Sequence, residues 1–113
     1  MKKVIAVFII AFVVSVSGFA QSAVNPQSVV GTWIDNEGDS WIFRANGELS
    51  IPEYEDTKFS YVIIGAKIAI AEDDGSLTVY NIFVSSDGKT AILDLSSKTD
   101  SPYLDRPFML KKR

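Results

Sequence analysis

The chain has 113 residues, a net charge of −3, no cysteine and no histidine. That composition excludes disulfide staples, thiolate metal ligands, a thiol nucleophile and any His-dependent catalytic triad. The acidic balance also argues against partners that are themselves polyanions, so nucleic acid is not expected.

The N-terminus reads as an address. Lys2 and Lys3 form a basic n-region, and Val4 to Val14 is an unbroken apolar run. Ser15 to Ala20 then supplies the small, weakly polar tail that signal peptidase accepts, with Gly18 and Ala20 at −3 and −1 of a cut before Gln21. A second permissive cut follows Ala23. The apolar core is shorter than the about 20 residues a spanning helix needs, so a cleaved signal is expected rather than an anchor. Residues 1–20 are therefore assigned to the signal, 21–28 to a polar spacer holding Asn25-Pro26, and 29–113 to one domain. The expected location is beyond the inner membrane, in the periplasm or the medium, with no membrane anchor once the signal is removed. Loss of Lys2 and Lys3 leaves the remainder more acidic still, which favours solubility.

After residue 28 no helical stripe appears. Short runs of alternating apolar and polar residues are separated by Asn, Asp, Gly and Pro, the pattern of an all-β domain. Eight strands are predicted: Val29–Ile34, Ser40–Arg44, Glu48–Ile51, Thr57–Ile64, Lys67–Ala71, Ser76–Val84, Lys89–Leu95 and Pro107–Lys111. Asn46-Gly47 is the strongest hairpin signal among the turns. Period-2 alternation places Trp41 and Phe43, Leu49 and Ile51, Phe59, Tyr61 and Ile63, Ile68 and Ile70, Leu93 and Leu95, and Phe108 and Leu110 on single faces. Short links between neighbours dictate an antiparallel meander. Closed on itself, the meander is a small up-and-down barrel without exposed edges. An eight-stranded interior is filled by side chains or admits one small ligand.

Gly31-Thr32-Trp33 opens the first strand, Trp41-Ile42-Phe43 precedes Asn46-Gly47, and the chain ends Lys111-Lys112-Arg113. This pattern resembles the short bacterial exported lipocalin-like (calycin-type) barrels of unknown function. The resemblance implies that Trp33 plugs one end of the barrel and that a late basic residue covers its ring. Parity with Phe108 and Leu110 selects Lys112, with Arg113 as the alternative; Gly31 and Trp33 complete this structural plug. The family's Thr-Asp-Tyr motif is absent, since Thr99-Asp100 is followed by Ser101, and the chain is shorter than an ordinary lipocalin. The large side chains of Trp33, Trp41, Phe43, Phe59, Phe83 and Phe108 can therefore either line a cavity or fill it.

Three functions remain open. The first is a non-enzymatic binding domain that holds a small apolar ligand against Trp41, Phe43, Tyr61 and Phe83. The second is a protein-interaction or inhibitor domain using its outer face. Its motive is the predicted sixth strand, which is apolar on both faces: Leu77, Val79 and Phe83 on one, Tyr80, Ile82 and Val84 on the other. Either the N-terminal segment or the Ser96–Asp105 loop covers this strand, or Tyr80 and Ile82 form an exposed patch for a partner or a second copy. The third is an enzyme, suggested only by abundant carboxylates in the turns: Asp35, Glu37 and Asp39; Glu53, Glu55 and Asp56; Glu72, Asp73 and Asp74. No cluster matches a calcium loop, and Asp in turns has a backbone explanation. No catalytic residue, metal or cofactor is assigned.

Overall fold

The computed structural model describes residues 23–54, 56–97, 99 and 101–113. The expected signal and its cleavage sites up to residue 22 lie outside the described residues. A 3-10 turn, Pro26–Ser28, leads into eight strands: β1 Gly31–Asp35, β2 Ser40–Phe43, β3 Glu48–Ser50, β4 Phe59–Ile64, β5 Lys67–Glu72, β6 Leu77–Val84, β7 Thr90–Leu95 and β8 Phe108–Lys112. A second 3-10 turn, Pro52–Tyr54, separates β3 from β4. Every strand pairs antiparallel with the next, and β1 pairs with β8, so the sheet is a closed barrel in simple chain order.

Four of the hairpins repeat one device. In the β2–β3 turn Gly47 N–H donates to Arg44 C=O at 3.1 Å, and Arg44 N–H donates to Glu48 C=O at 2.9 Å. Gly47 sits at φ +92°, a conformation that disfavours any side chain. Asn46, just before it, accepts the Glu48 N–H on its side-chain oxygen at 3.0 Å. The same pair of backbone bonds closes the turns Asp35–Asp39 and Glu72–Ser76, and a version one residue longer closes Ser85–Thr90. Asp74 and Asp87 take the part of Asn46. A type I turn followed by a left-handed residue supplies the twist that antiparallel neighbours need, and these turns set the register of each pair.

The inward face carries Trp33, Trp41, Phe43, Leu49, Phe59, Ile68, Ile70, Tyr80, Ile82, Ala91, Leu93, Phe108 and Leu110, all buried. For β6 the sequence expectation is reversed. Register places Tyr80 opposite Ile68 and Thr78 opposite Ile70. Directly opposed residues share a face, so Thr78, Tyr80 and Ile82 point inward, and Leu77, Val79 and Phe83 line the outside. A strand apolar on both sides carries no alternation from which to choose; its neighbour β5, with Lys67 and two alanines on the outer side, decides.

The meander puts both closures where the chain can supply them. At one end the lead-in folds under the barrel. Val24 N–H donates to Gly65 C=O at 2.9 Å, Asn25 caps the first 3-10 turn, and Val29 is buried. At the other end lie the β1–β2, β3–β4, β5–β6 and β7–β8 connections. There the β7–β8 loop turns inward: Leu104 is fully buried, and Ser101 Oγ accepts the N–H groups of Tyr103 and Leu104 at 3.1 and 2.9 Å. Tyr80 Oη, reaching up from the interior, donates to Arg106 C=O at 2.9 Å.

Candidate functional site

Gly31, Trp33 and Lys112 come together at the lead-in end. Trp33 and Lys112 are direct partners in the β1–β8 ladder. Lys112 Nζ lies 5.3 Å from the Trp33 ring centre and donates to Ser28 C=O at 3.1 Å. Trp33 Nε1 donates to Val29 C=O at 2.9 Å. Gly31 has φ +136°, and a Cβ there would stand 3.2 Å from Lys112 Cε. Arg113 instead extends the ladder, its N–H donating to Thr32 C=O, and its side chain is exposed. Every polar contact of this constellation is spent on closing the barrel.

The interior is crossed by the protein's own rings. Tyr61 meets Phe43 edge-on at 5.1 Å, Phe43 lies 6.1 Å from Trp41, Trp41 meets Phe108 at 4.9 Å, and Phe108 lies 6.3 Å from Tyr80. This chain of rings runs from β4 through β2 and β8 to β6. Trp41 and Phe43 therefore pack against neighbouring rings rather than present free faces to a cavity. Tyr61 is half-buried and donates its hydroxyl to Arg44 C=O at 2.7 Å; burial pushes its pKa up. The fourth candidate for an internal ligand, Phe83, is not inside at all, because it sits on the outer face opposite Ile92. Tyr80 and Ile82, the candidates for an exposed interface, are 0% and 1% exposed, which removes them from any surface role.

Two carboxylates that the sequence groups with solvated turns are buried. Asp35 ends β1 pointing inward at 6% exposure. Its Oδ1 accepts the Glu37 and Asp39 N–H groups at 2.8 and 2.9 Å, and its Oδ2 accepts Trp41 Nε1 at 2.9 Å. Trp41 is thus held in its rotamer by a turn carboxylate. Above them Arg106 grips Glu37 through two bonds of 2.7 and 3.0 Å and reaches Asp105 at 2.8 Å. Tyr54 stacks on Tyr103 at 4.5 Å, fixing the β3–β4 connection to the β7–β8 loop.

Glu72 is the second buried carboxylate. It follows Ile68 and Ile70 on the inner face of β5, is 6% exposed, and its Oε2 has no hydrogen-bond partner among the described residues. Burial raises its pKa most; the Ser101 hydroxyl opposes this, and Asp74 and Asp73 add to it. Parity with Ile68 and Ile70 places it inward already in the sequence, a signal hidden by its membership of the Glu72-Asp73-Asp74 turn.

The barrel wall opens between β3 and β4. The β3–β4 ladder has two pairs, Glu48↔Ser60 and Leu49↔Phe59. Beyond them Pro52 removes a donor and the chain winds into the second 3-10 turn, where Tyr54 N–H donates to Ile51 C=O. A cleft of about 390 Å³ fills the gap. The buried Leu49, Ile51 and Phe59 contribute apolar surface to it, Tyr54 forms one side, and Glu48 and Lys58 are charged residues at its exposed margin. A second groove of about 320 Å³ follows the outside of β1 and β8 beside Ile34, Met109 and Lys111.

On the outer wall the exposed large apolar residues are Val62 at 51%, Ile64 at 69%, Leu77 at 58% and Met109 at 48%. The first three stand on β4 and β6 with Ala69 and Ala71 of β5 between them. Among the described residues no group of His, Cys, Asp and Glu is arranged to hold a metal ion, and no helix is long and apolar enough to cross a membrane. No family model, curated protein or solved structure matches the chain.

Proposed function

We propose that this is an exported, non-enzymatic binding domain with a lipocalin-like barrel, and that its small apolar ligand docks in the cleft between β3 and β4 instead of the barrel centre. The cleft itself carries the reading. Its volume of about 390 Å³ falls within the range of about 300–1,000 Å³ usual for ligand pockets. A lining that mixes Leu49, Ile51, Pro52 and Phe59 with Ser50, Tyr54 and Thr57, and carries Glu48 and Lys58 at the margin, suits a small molecule with an apolar part and a polar end. Lys58 suits an anionic end. The ring contacts across the centre of the barrel favour the cleft over the interior.

Octanoate is a suitable probe, titrated into isotope-labelled protein and followed through amide chemical shifts. Saturable shifts at Leu49, Ile51, Tyr54, Lys58 and Phe59 are expected, and Lys58→Glu should weaken them. Shifts centred on Trp41, Phe108 and Tyr80 would return the ligand to the interior. No saturable shift at any residue would remove the small-ligand reading.

The alternative of a protein-interaction domain keeps a specific motive. It moves from Tyr80 and Ile82 to the outward side chains of the same wall, Val62, Ile64 and Leu77.

A further inference from the structure

The outer face of β4, β5 and β6 is laid out in level rows. Ladder pairing sets Val62, Ala69 and Val79 side by side, and Ser60, Ala71 and Leu77 in the next row. One row further toward the lead-in end stand Ile64, Lys67 and Asn81. One row further the other way stand Lys58 and Asp73, joined by the Asp73 N–H to Lys58 C=O bond. Along β5 the outward sequence is therefore Lys67, Ala69, Ala71, Asp73: a cation at one end, an anion at the other, and the smallest side chains between.

We infer that this face is an isologous interface for a second copy of the chain. A two-fold axis lying across the strands, midway between the two alanine rows, turns the face onto itself. It sets Lys67 of one copy over Asp73 of the other, twice. Ala69 then faces Ala71, Val79 faces Leu77, and Val62 faces Ser60. Ile64 meets the aliphatic stem of Lys58, a contact such side chains make readily. No like charges oppose. Symmetric dimers require such self-complementarity, since each residue must find its partner in the same patch. Aligned sheets pack face to face about 10 Å apart, and alanines at the centre let them approach. Two further facts point the same way. Among the described residues the ion pairs belong to Arg106, so Lys67 is exposed with only the neutral partners Asn81 and Ser96, at 2.7 and 3.2 Å. Among the described residues, three of the four exposed large apolar side chains also stand on these strands. Of the residues on this face only Lys58 also lines the cleft, and the variants below leave it untouched.

Sedimentation velocity over a concentration series, on protein purified after expression of the full chain, tests it. The wild type is expected as a dimer. Leu77→Asp should sediment as a monomer with an unchanged far-ultraviolet spectrum. Should that variant fail to fold, the exposed charges carry the test: Lys67→Glu and Asp73→Lys each shift the population to monomer, and the double exchange restores the dimer. A wild type that is monomeric at every concentration overturns the inference. So does a dimer indifferent to all of these changes. Single variants that dissociate with a double variant that does not recover would overturn the proposed pairing of Lys67 with Asp73.

Discussion

Replacing Glu72 by Gln should make the protein more stable at neutral and alkaline pH. The carboxylate is 6% exposed and its Oε2 has no hydrogen-bond partner among the described residues. An unsatisfied buried acceptor costs about 1–3 kcal/mol, and more when charged. Its folded-state pKa lies above the ordinary value of 4.5, with burial as the main cause. A raised pKa means that the protonated form is the one favoured by folding. That stability is fully present below the unfolded value and is lost as pH rises through the folded value. At pH 8 the wild type therefore holds a buried charge that the amide lacks, while the amide oxygen keeps an acceptor toward Ser101. A gain of about 1 kcal/mol corresponds to about 4–8 °C for a domain of this size. Thermal unfolding of both proteins at pH 4, 6 and 8 reads the difference directly, since all other titrating groups are shared. The gap should be widest at pH 8 and close toward pH 4. A variant no more stable than wild type at pH 8, or a gap that does not change with pH, would refute the assignment.

Other substitutions separate the two ends of the barrel. Asp35→Ala leaves Trp41 Nε1 and two turn N–H groups without their acceptor, and urea unfolding should show a loss of about 2–4 kcal/mol. Lys112→Met keeps the aliphatic stem over Trp33 but removes the ammonium; a loss of about 0.5–2 kcal/mol is expected, with a change in near-ultraviolet dichroism from the indole. Gly31→Ala forces a side chain into φ +136° against Lys112, at a cost of about 1–3 kcal/mol in chemical denaturation. Leu104→Ala empties the seat of the β7–β8 loop; it should lower stability by about 2–5 kcal/mol and raise amide exchange at Tyr103 and Leu104 before the strands.

The strands and their order were legible because most of them carry polar residues on one side only. In β2, β5 and β8 the alternation alone places Trp41, Ile68 and Phe108 inside. Where both sides are apolar, as in β6, alternation is silent, and Tyr80 and Phe83 exchange places relative to expectation. The predicted third and fourth strands also overrun: Ile51 and Thr57 fall outside the β3–β4 ladder once Pro52 diverts the chain, and Lys58 pairs through its C=O with Asp73 rather than with β3. That overrun conceals the cleft. The closing loop was illegible for another reason: Ser101 and Leu104 belong to no repeat, and their burial depends on what Tyr80 and Tyr54 present from elsewhere. Asp35 and Glu72 show the cost of reading carboxylates by neighbourhood. Each sits beside solvated acids, yet strand parity assigns both to the interior.

The seam between β1 and β8 governs when this protein can exist as a folded object. Trp33 and Lys112 are ladder partners separated by nearly the whole described chain, so the ring is completed only when β8 arrives. Until Phe108–Lys112 is available, β1 and β7 each present a bare edge of unpaired N–H and C=O groups, and bare edges recruit other strands. A ribosome-bound or prematurely terminated chain lacking those five residues cannot close. Folding should therefore wait for β8, governed by long-range pairing, and the codons for Phe108–Lys112 should matter more for solubility than any stretch of equal length in the turns.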